Sequence, residues 1–229
     1  HSSRVDALWN GVIAKQIDYY DHISRKQSQT ITLNTDRPIA IAYLSDLHLG
    51  SAGTDYISVK RDAELVRDTD GMYAVFHGDG MDNWIVGKLQ GLQRNQVVQY
   101  DDEWRLFASW IGILSPKLLA VVSGNHELWS YKIAHLDIAR DALKDVRCLY
   151  DKHQVVFDLH LNDARIRHIV RHKWRYNSVH NPTHGLEVAW DRGDIDYDVA
   201  IGGHTHIGTF FRGFVRHNKK RLAVLTGTY

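Results

Sequence analysis

Side chains that can bind metal ions stand directly after five separate apolar runs of this sequence. The five blocks are Ser45-Asp46-Leu47-His48, His77-Gly78-Asp79-Gly80-Met81-Asp82-Asn83, Ser123-Gly124-Asn125-His126-Glu127, Arg171-His172 and Gly202-Gly203-His204-Thr205-His206. Each apolar run has the length of a buried β-strand. Because ligands bind beyond the carboxyl ends of strands in open α/β sheets, we expect these side chains to meet at one edge.

The mixture of Asp, Asn and His at these positions indicates the kind of cation. Such a set suits borderline divalent ions such as Mn, Fe, Zn or Co. Calcium sites use oxygen ligands alone, and structural zinc sites usually use cysteines, whereas this chain has only Cys148. Asp46 and His48 are two residues apart, as are His204 and His206, a spacing that points both side chains the same way on an extended segment.

The ordered set Asp-x-His, Gly-Asp-x-x-Asp, Gly-Asn-His-Glu, His and Gly-His-x-His resembles the calcineurin-like metallophosphoesterase superfamily. The set runs from Ser45 to His206 in the family's order. The resemblance implies an α/β fold, a two-sheet α/β/β/α sandwich, here with an added N-terminal helix. It also implies a hydrolase, a phosphatase or phosphodiesterase that cleaves a phosphomonoester or phosphodiester by attack of a hydroxide bridging two metal ions.

The resemblance implies metal-binding roles for seven residues. One ion would be bound by Asp46, His48 and His206, the second by Asn125, His172 and His204, and both by Asp79. We expect two divalent ions, manganese first, with iron, zinc or cobalt as alternatives. His172 is followed by Lys173 where relatives often have glycine or a second histidine, so His168 is a competitor for this role, although it lies inside an apolar run.

Other residues are expected to act around the metal ions. In the family the residue matching His126 is catalytic: it would stabilise the phosphoryl oxygens or protonate the leaving group. Asp82 and Glu127 would orient ligand histidines through hydrogen bonds. Candidate substrate contacts, in or beside the loops at residues 83–102 and 174–194, are Lys173, Arg175 and His184.

Two other functions remain open at this stage. A nuclease of the same superfamily is an alternative, because basic residues at 165–175 and the nearby Trp84, Trp129, Trp174 and Tyr176 could contact a nucleic acid. A solvated strand face explains the basic residues equally simply, and 28 basic against 27 acidic residues give no overall attraction to nucleic acid. A non-catalytic scaffold that kept the fold is the remote alternative.

The periodicity of apolar residues predicts the elements that hold the blocks. An amphipathic helix is predicted at 5–23 and an edge strand at 30–33. Further strands are predicted at residues 39–44, 73–76, 118–122, 154–159, 166–170, 199–201, 209–215 and 222–225. Further helices are predicted at residues 58–67, 103–114 and 131–143. We expect a mostly parallel sheet in the first half and a more antiparallel sheet in the second.

The chain is expected to form one globular domain at 38–229, after an N-terminal helix and lead-in at 1–37. The closing strand and its turn at 222–229 resemble the family's last strand, so we expect the catalytic domain to be complete. Since no run of about 18 apolar residues occurs and the first residues are not a secretory signal, we expect a cytoplasmic protein with no membrane partner.

Overall fold

The computed structural model of the chain describes residues 2–25, 29–176, 178–191, 196–216 and 218–229. Its helices are α1 (Ser2–Arg25), α2 (Tyr56–Asp68), α3 (Tyr100–Leu114), α4 (Asn125–Ala134), α5 (Ile138–Ala142) and α6 (His184–Asp191), with a 3-10 helix at Gln90–Asn95. Its strands are β1 (Gln29–Leu33), β2 (Ala40–Leu44), β3 (Met72–Phe76), β4 (Leu118–Val122), β5 (Leu149–Asp151), β6 (Val155–Leu161), β7 (Ala164–Val170), β8 (Val199–Gly202), β9 (Phe210–Arg216) and β10 (Lys219–Leu225).

The first sheet contains four parallel strands in the order β2-β3-β4-β5, as the alternating strands and helices predicted. All five residues of β4 are buried, because β4 has neighbours on both sides and layers on both faces. The apolar run at 39–44 predicted a buried strand as well. That prediction was wrong for β2, which is partly exposed because it lies at the edge of the sheet.

The second sheet contains six strands in the order β1-β6-β7-β8-β10-β9. Two of its five strand pairs, β6–β7 and β9–β10, run antiparallel, and the other three are parallel. Since all three pairs of the first sheet are parallel, the expectation of a more antiparallel sheet in the second half is confirmed. Strand β1, from the predicted lead-in, forms one edge of this sheet, so the edge strand predicted at 30–33 is confirmed.

Three buried hydrophobic clusters show how the layers stack. Side chains from both sheets, including Val75 and Phe157, share one cluster, so the sheets pack face to face. The outer face of the first sheet packs on α2, α3 and α5 through residues such as Val121 and Ile111. The outer face of the second packs on Leu186 of α6. The predicted α/β/β/α sandwich is therefore confirmed.

Three helical segments differ from the prediction. The helix predicted at 131–143 is two helices, since His135 takes a left-handed φ of 54° and Asp137 caps the start of α5 through the Arg140 amide. Helix α6 was not predicted. The predicted N-terminal helix is present, but the apolar side chains of its described part, such as Leu8 and Trp9, are exposed rather than buried.

Within the described ranges of the chain, none of the helices combines the length and apolar character needed to cross a membrane.

Candidate metal centre

The predicted metal ligands converge at the carboxyl ends of β2, β3, β4, β7 and β8. Their ligand atoms form overlapping groups in which all atoms lie within 4.8 Å of one another: Asp46, His48, Asp79 and His206; Asp79, His172 and His204; and His48, Asp82 and His126. Asp79 belongs to the first two groups. Asn125 joins the second, because its Oδ1 lies 3.2 Å from His172 Nε2. The structure thus brings all seven predicted ligands together.

The first group opens towards solvent. His206 Nε2 lies 2.9 Å from Asp46 Oδ1 and 3.0 Å from His48 Nε2. Asp46 is fully buried, whereas the side chain of His206 is 40% exposed. A molecule from solvent can therefore reach this group without any movement of the core.

The second group is more enclosed. His172 is 4% exposed and Asp79 is 1% exposed, and His172 Nε2 lies 3.0 Å from Asp79 Oδ2. The ring of His204 meets that of His172 edge to face, with centroids 5.1 Å apart. Asp79 lies between the two groups, so it can contact a cation in either.

The backbone that carries the ligands is left-handed at most positions. Five of the seven have positive φ: Asp46 (53°), His48 (48°), Asp79 (53°), His204 (74°) and His206 (53°). Each such residue costs on the order of 1–3 kcal/mol and persists where the surroundings require it. The expected extended geometry was wrong for both two-residue spacings, because both residues of each pair have a left-handed backbone instead of an extended one.

Two glycines allow the loops to approach the carboxylates closely. A Cβ on Gly124 would clash with Asp79 Oδ1, and one on Gly203 would clash with Asp46 Oδ2. Any larger residue at either position would push a loop away from its carboxylate.

Three imidazoles are fixed in one tautomer by acceptors behind them. Nδ1 of His48 lies 3.0 Å from Asp82 Oδ1, and Nδ1 of His172 lies 2.8 Å from His77 O. Nδ1 of His126 lies 2.5 Å from Asp82 O. Carboxylate and carbonyl oxygens only accept hydrogen bonds, so each Nδ1 carries a hydrogen, and the lone pair of each neutral ring is on Nε2.

When these rings are neutral, acceptor atoms therefore face one another inside the centre. His172 Nε2 lies against both the carboxylate oxygen of Asp79 and the amide oxygen of Asn125. His48 Nε2 lies 3.0 Å from His206 Nε2. Lone pairs at these distances repel unless a proton or a metal cation lies between them. Nitrogen and oxygen atoms together are ligands that suit borderline divalent ions such as Mn, Fe, Zn or Co.

The pKa values show that positive charge is favoured at this point. Burial disfavours the imidazolium of His172, yet the carboxylates of Asp79 and Asp46 outweigh burial and raise the pKa of His172 to about 9. Burial would also raise the pKa of Asp79, but His172 and His126 hold it below its usual range. The pKa of Asp46 is lowered too, because the hydrogen bond from His206 and the charge of His172 outweigh burial. Both carboxylates are thus ionised at neutral pH.

His126 lies beside the two groups with its Nε2 3.9 Å from Asp79 Oδ2. Its backbone amide donates to Asp79 Oδ1 at 3.0 Å, so the start of α4 is tied to the centre. Burial lowers the pKa of the ring. Nδ1 is occupied by Asp82 O, so Nε2 is the atom left to meet a substrate.

Of the two residues expected to orient histidines, only Asp82 does so, through His48 Nδ1. The expectation for Glu127 was wrong in its detail. Its carboxylate accepts the backbone amides of Asp79 (3.1 Å), Gly80 (2.7 Å) and Gly124 (2.7 Å). Glu127 therefore joins the loops after β3 and β4, and it positions Asp79 rather than a histidine.

Asn83 is a supporting residue that the sequence prediction missed. It is fully buried with φ of 47°, and its Nδ2 donates to His126 O at 2.5 Å. Its Oδ1 accepts from the hydroxyl of Tyr100, and its backbone amide donates to the buried Glu103 at 2.7 Å. Asn83 thus holds Asp82 against α4. The available signal was its place directly after Asp82, at a turn where asparagine tolerates left-handed φ.

The structure separates the two candidates for the histidine of the fourth block. His168 is 2% exposed and stacks on Phe157 in the interior between the sheets, with ring centroids 4.6 Å apart. Burial lowers the pKa of His168 to about 4, so it is a neutral core residue. His172 is the residue that lies at the centre.

The three candidate substrate contacts are all exposed, and none belongs to the metal-ligand groups of the described residues. Lys173 is near enough to His204 for its charge to help burial lower the pKa of that histidine to about 4. Lys173 and Arg175 line a shallow depression with Trp174 and Tyr176. His184 is the first residue of α6.

Most of the basic residues at 165–175 serve the fold. Arg165 and Arg167 both pair with Asp158, at 2.9 and 2.8 Å. Arg171 donates to Gln154 and lies over the ring of Trp174. These three guanidinium groups are therefore used within the protein.

Comparisons with known proteins add little to this geometry. The sequence matches no model of a known protein family, and no curated protein matches it. Among solved structures, the chain is similar to Vps29 of Chaetomium thermophilum, with a TM-score of 0.43 and 13% identity, covering 82% of this chain and 71% of that chain. It is also similar to AQ665 of Aquifex aeolicus, a protein of unknown function, with a TM-score of 0.37 and 15% identity, covering 72% and 78%. The functional assignment therefore depends on the centre itself.

Proposed function

We propose that this chain is a dinuclear metal-dependent phosphoesterase of the calcineurin-like superfamily. One observation carries the proposal: two groups of nitrogen and oxygen ligand atoms share the buried carboxylate of Asp79, and within each group all these atoms lie within 4.8 Å of one another. Asp46, His48 and His206 would hold one divalent cation. The second would be held by Asn125, His172 and His204.

Two bound cations would neutralise charge on a phosphate ester and lower the pKa of a water molecule towards 7. The protein contributes the geometry. Asp82 and His77 hold Nδ1 of His48 and His172, so Nε2 of each ring is the atom available to bind a cation. His126 Nε2 is held where it can hydrogen-bond an oxygen of the ester, either a phosphoryl oxygen or that of the leaving group.

The nuclease alternative has less support than a small phosphate ester as substrate. A nucleic acid needs a row of free cations along its backbone. Arg165, which is exposed, and Arg167 are paired with Asp158, which leaves Lys173 and Arg175 as the exposed basic residues of that stretch outside this ion pair. Manganese remains our first choice of metal.

The test is hydrolysis of p-nitrophenyl phosphate and bis(p-nitrophenyl) phosphate by manganese-loaded protein, before and after chelation. His126→Gln is compared with His153→Gln, a matched change at an exposed histidine after β5. We expect activity that is lost on chelation and reduced at least about 100-fold by His126→Gln only.

The preferred substrate distinguishes a phosphatase from a phosphodiesterase or nuclease. Faster monoester turnover would indicate a phosphatase, and faster diester turnover would indicate a phosphodiesterase or nuclease. Metal binding without turnover of either ester would contradict the proposed enzymatic activity and favour a non-catalytic scaffold. Absence of metal binding would contradict the whole proposal.

A further inference from the structure

Two tryptophans form an aromatic wall against the catalytic-histidine candidate. The ring of Trp129 is tilted by 31° against that of His126, with centroids 4.1 Å apart. The ring of Trp84 meets His126 at 63° with centroids 4.9 Å apart, and it lies 5.6 Å from Trp129. The three rings therefore touch one another at the edge of the centre.

The wall is not part of the hydrophobic core. Neither Trp84 nor Trp129 belongs to the three buried clusters of the described residues, although the half-buried Trp104 does. Both indoles are half-buried. The exposed part of each ring is apolar surface in contact with water. Covering it with a ligand is therefore favourable.

The wall is held in place by its backbone. The carbonyl oxygen of Trp84 accepts from Gln93 Nε2 at 3.1 Å, and the preceding amide, of Asn83, donates to the buried Glu103. Trp129 is fixed on α4, five residues after its N-cap Gly124. A fixed aromatic surface loses little conformational freedom when a ligand stacks on it.

A substrate oxygen at His126 Nε2 would lie next to this wall. Nδ1 of that ring is occupied by Asp82 O, so Nε2 is the edge that can meet an ester. The group attached to the ester oxygen must then leave past Trp84 or Trp129. Every aromatic ring has a face that can stack there, whereas an alkyl group offers less surface.

We propose that Trp84 and Trp129 form a stacking subsite that selects phosphate esters whose alcohol carries an aromatic ring, such as a nucleobase. This inference rests on the proposed function, because it assigns the substrate class of the same centre. Trp84 supplies the platform, and Trp129 supports both it and the ring of His126.

The test is isothermal titration calorimetry of manganese-loaded protein with three phosphonates, which are not hydrolysed. They are benzylphosphonate, the methylene-phosphonate analogue of adenosine monophosphate, and propylphosphonate. We expect the ring-bearing ligands to bind at least about fivefold more tightly than propylphosphonate. If both ring-bearing ligands bind more tightly, the subsite accepts any aromatic ring. If only the adenosine analogue does, the subsite selects a nucleobase.

Variants complete the test. Trp84→Ala should remove the preference, so that the three ligands bind equally, and Trp84→Phe should keep most of it. Trp9→Ala, at an exposed tryptophan of α1, is the matched control and should change nothing. Equal binding of all three ligands, or a preference that survives Trp84→Ala, would overturn the stacking subsite and leave the phosphoesterase proposal intact. Failure of all three to bind would overturn both.

Discussion

Two polar clusters of this protein look alike in sequence and differ in how their charges are balanced. The ion-pair cluster consists of Asp158, Arg165, Arg167, Asp196, Asp198 and Arg221 on the second sheet and its loops. There, guanidinium donors pair with carboxylate acceptors. Arg167 donates to both oxygens of Asp158, and Arg221 donates to Asp196 at 2.8 Å and to Asp198 at 3.0 Å.

In the metal centre, imidazole, carboxylate and amide groups that can bind a metal ion lie against one another. His172 Nε2 lies 3.0 Å from Asp79 Oδ2 and 3.2 Å from Asn125 Oδ1, and five of the predicted ligand residues have left-handed backbones. The ion-pair cluster balances its carboxylates with arginines of the chain, whereas we propose that cations from outside balance those of the centre. Clustering of charged residues therefore does not by itself identify a site. The kind of group that surrounds the carboxylates does.

The largest expected effect is that of Asp79→Asn, which removes the shared carboxylate of the centre. We expect kcat/KM for bis(p-nitrophenyl) phosphate to fall at least about 1000-fold, because charge stabilisation by metal ions is worth several kcal/mol. Bound manganese, measured by elemental analysis, should fall from two ions per chain to one or none. A variant that keeps two ions and its activity would show that Asp79 is not a metal ligand.

Asp82→Asn should have the next largest effect, because the change weakens the hydrogen bond that fixes the tautomer of His48. Loss of such a partner costs about 10- to 100-fold in metal affinity. Manganese titrations of the variant and of Asp141→Asn, at an exposed aspartate of α5, provide the comparison. Equal affinity in both variants would show that Asp82 does not orient a ligand.

Asp158→Asn should affect stability and leave activity within about twofold. Hydrogen bonds from Arg167 and Arg165 lower the pKa of Asp158 to about 2, against burial. Because the folded-state pKa is depressed, the stabilisation is present above about pH 4, amounts to roughly 2 kcal/mol, and is lost as the pH falls towards 2. Urea unfolding of both proteins at pH 7 and at pH 3 measures the difference, which should be smaller at pH 3. A difference that does not shrink would contradict the ion-pair explanation.

The smallest effect is expected from Lys173→Ala. The exposed charge of Lys173 near the centre should attract the anionic substrate, so the variant should have a KM up to about fivefold higher than the unchanged protein. In 1 M salt the two KM values should be equal. Lys60→Ala, at an exposed lysine of α2, is the matched control. An unchanged KM at low salt would show that Lys173 does not contact the substrate.

The resemblance of the five blocks to a known superfamily implied the sandwich, whereas the meeting of the predicted ligands followed from local patterns. Apolar runs end where polar blocks begin, and parallel strands bring those ends together. β2 was mistaken for a buried strand, since an apolar run cannot show whether a strand has one neighbour or two. Glu127 and Asn83 were misjudged or missed because their partners are backbone groups from other loops, which are distant in sequence.

The most direct test of the central claim is anomalous diffraction at the manganese edge from crystals grown with manganese. We expect two anomalous peaks, one against Asp46, His48 and His206 and the other against Asn125, His172 and His204, with Asp79 in contact with both. A single peak, or none, at these residues would contradict the dinuclear centre.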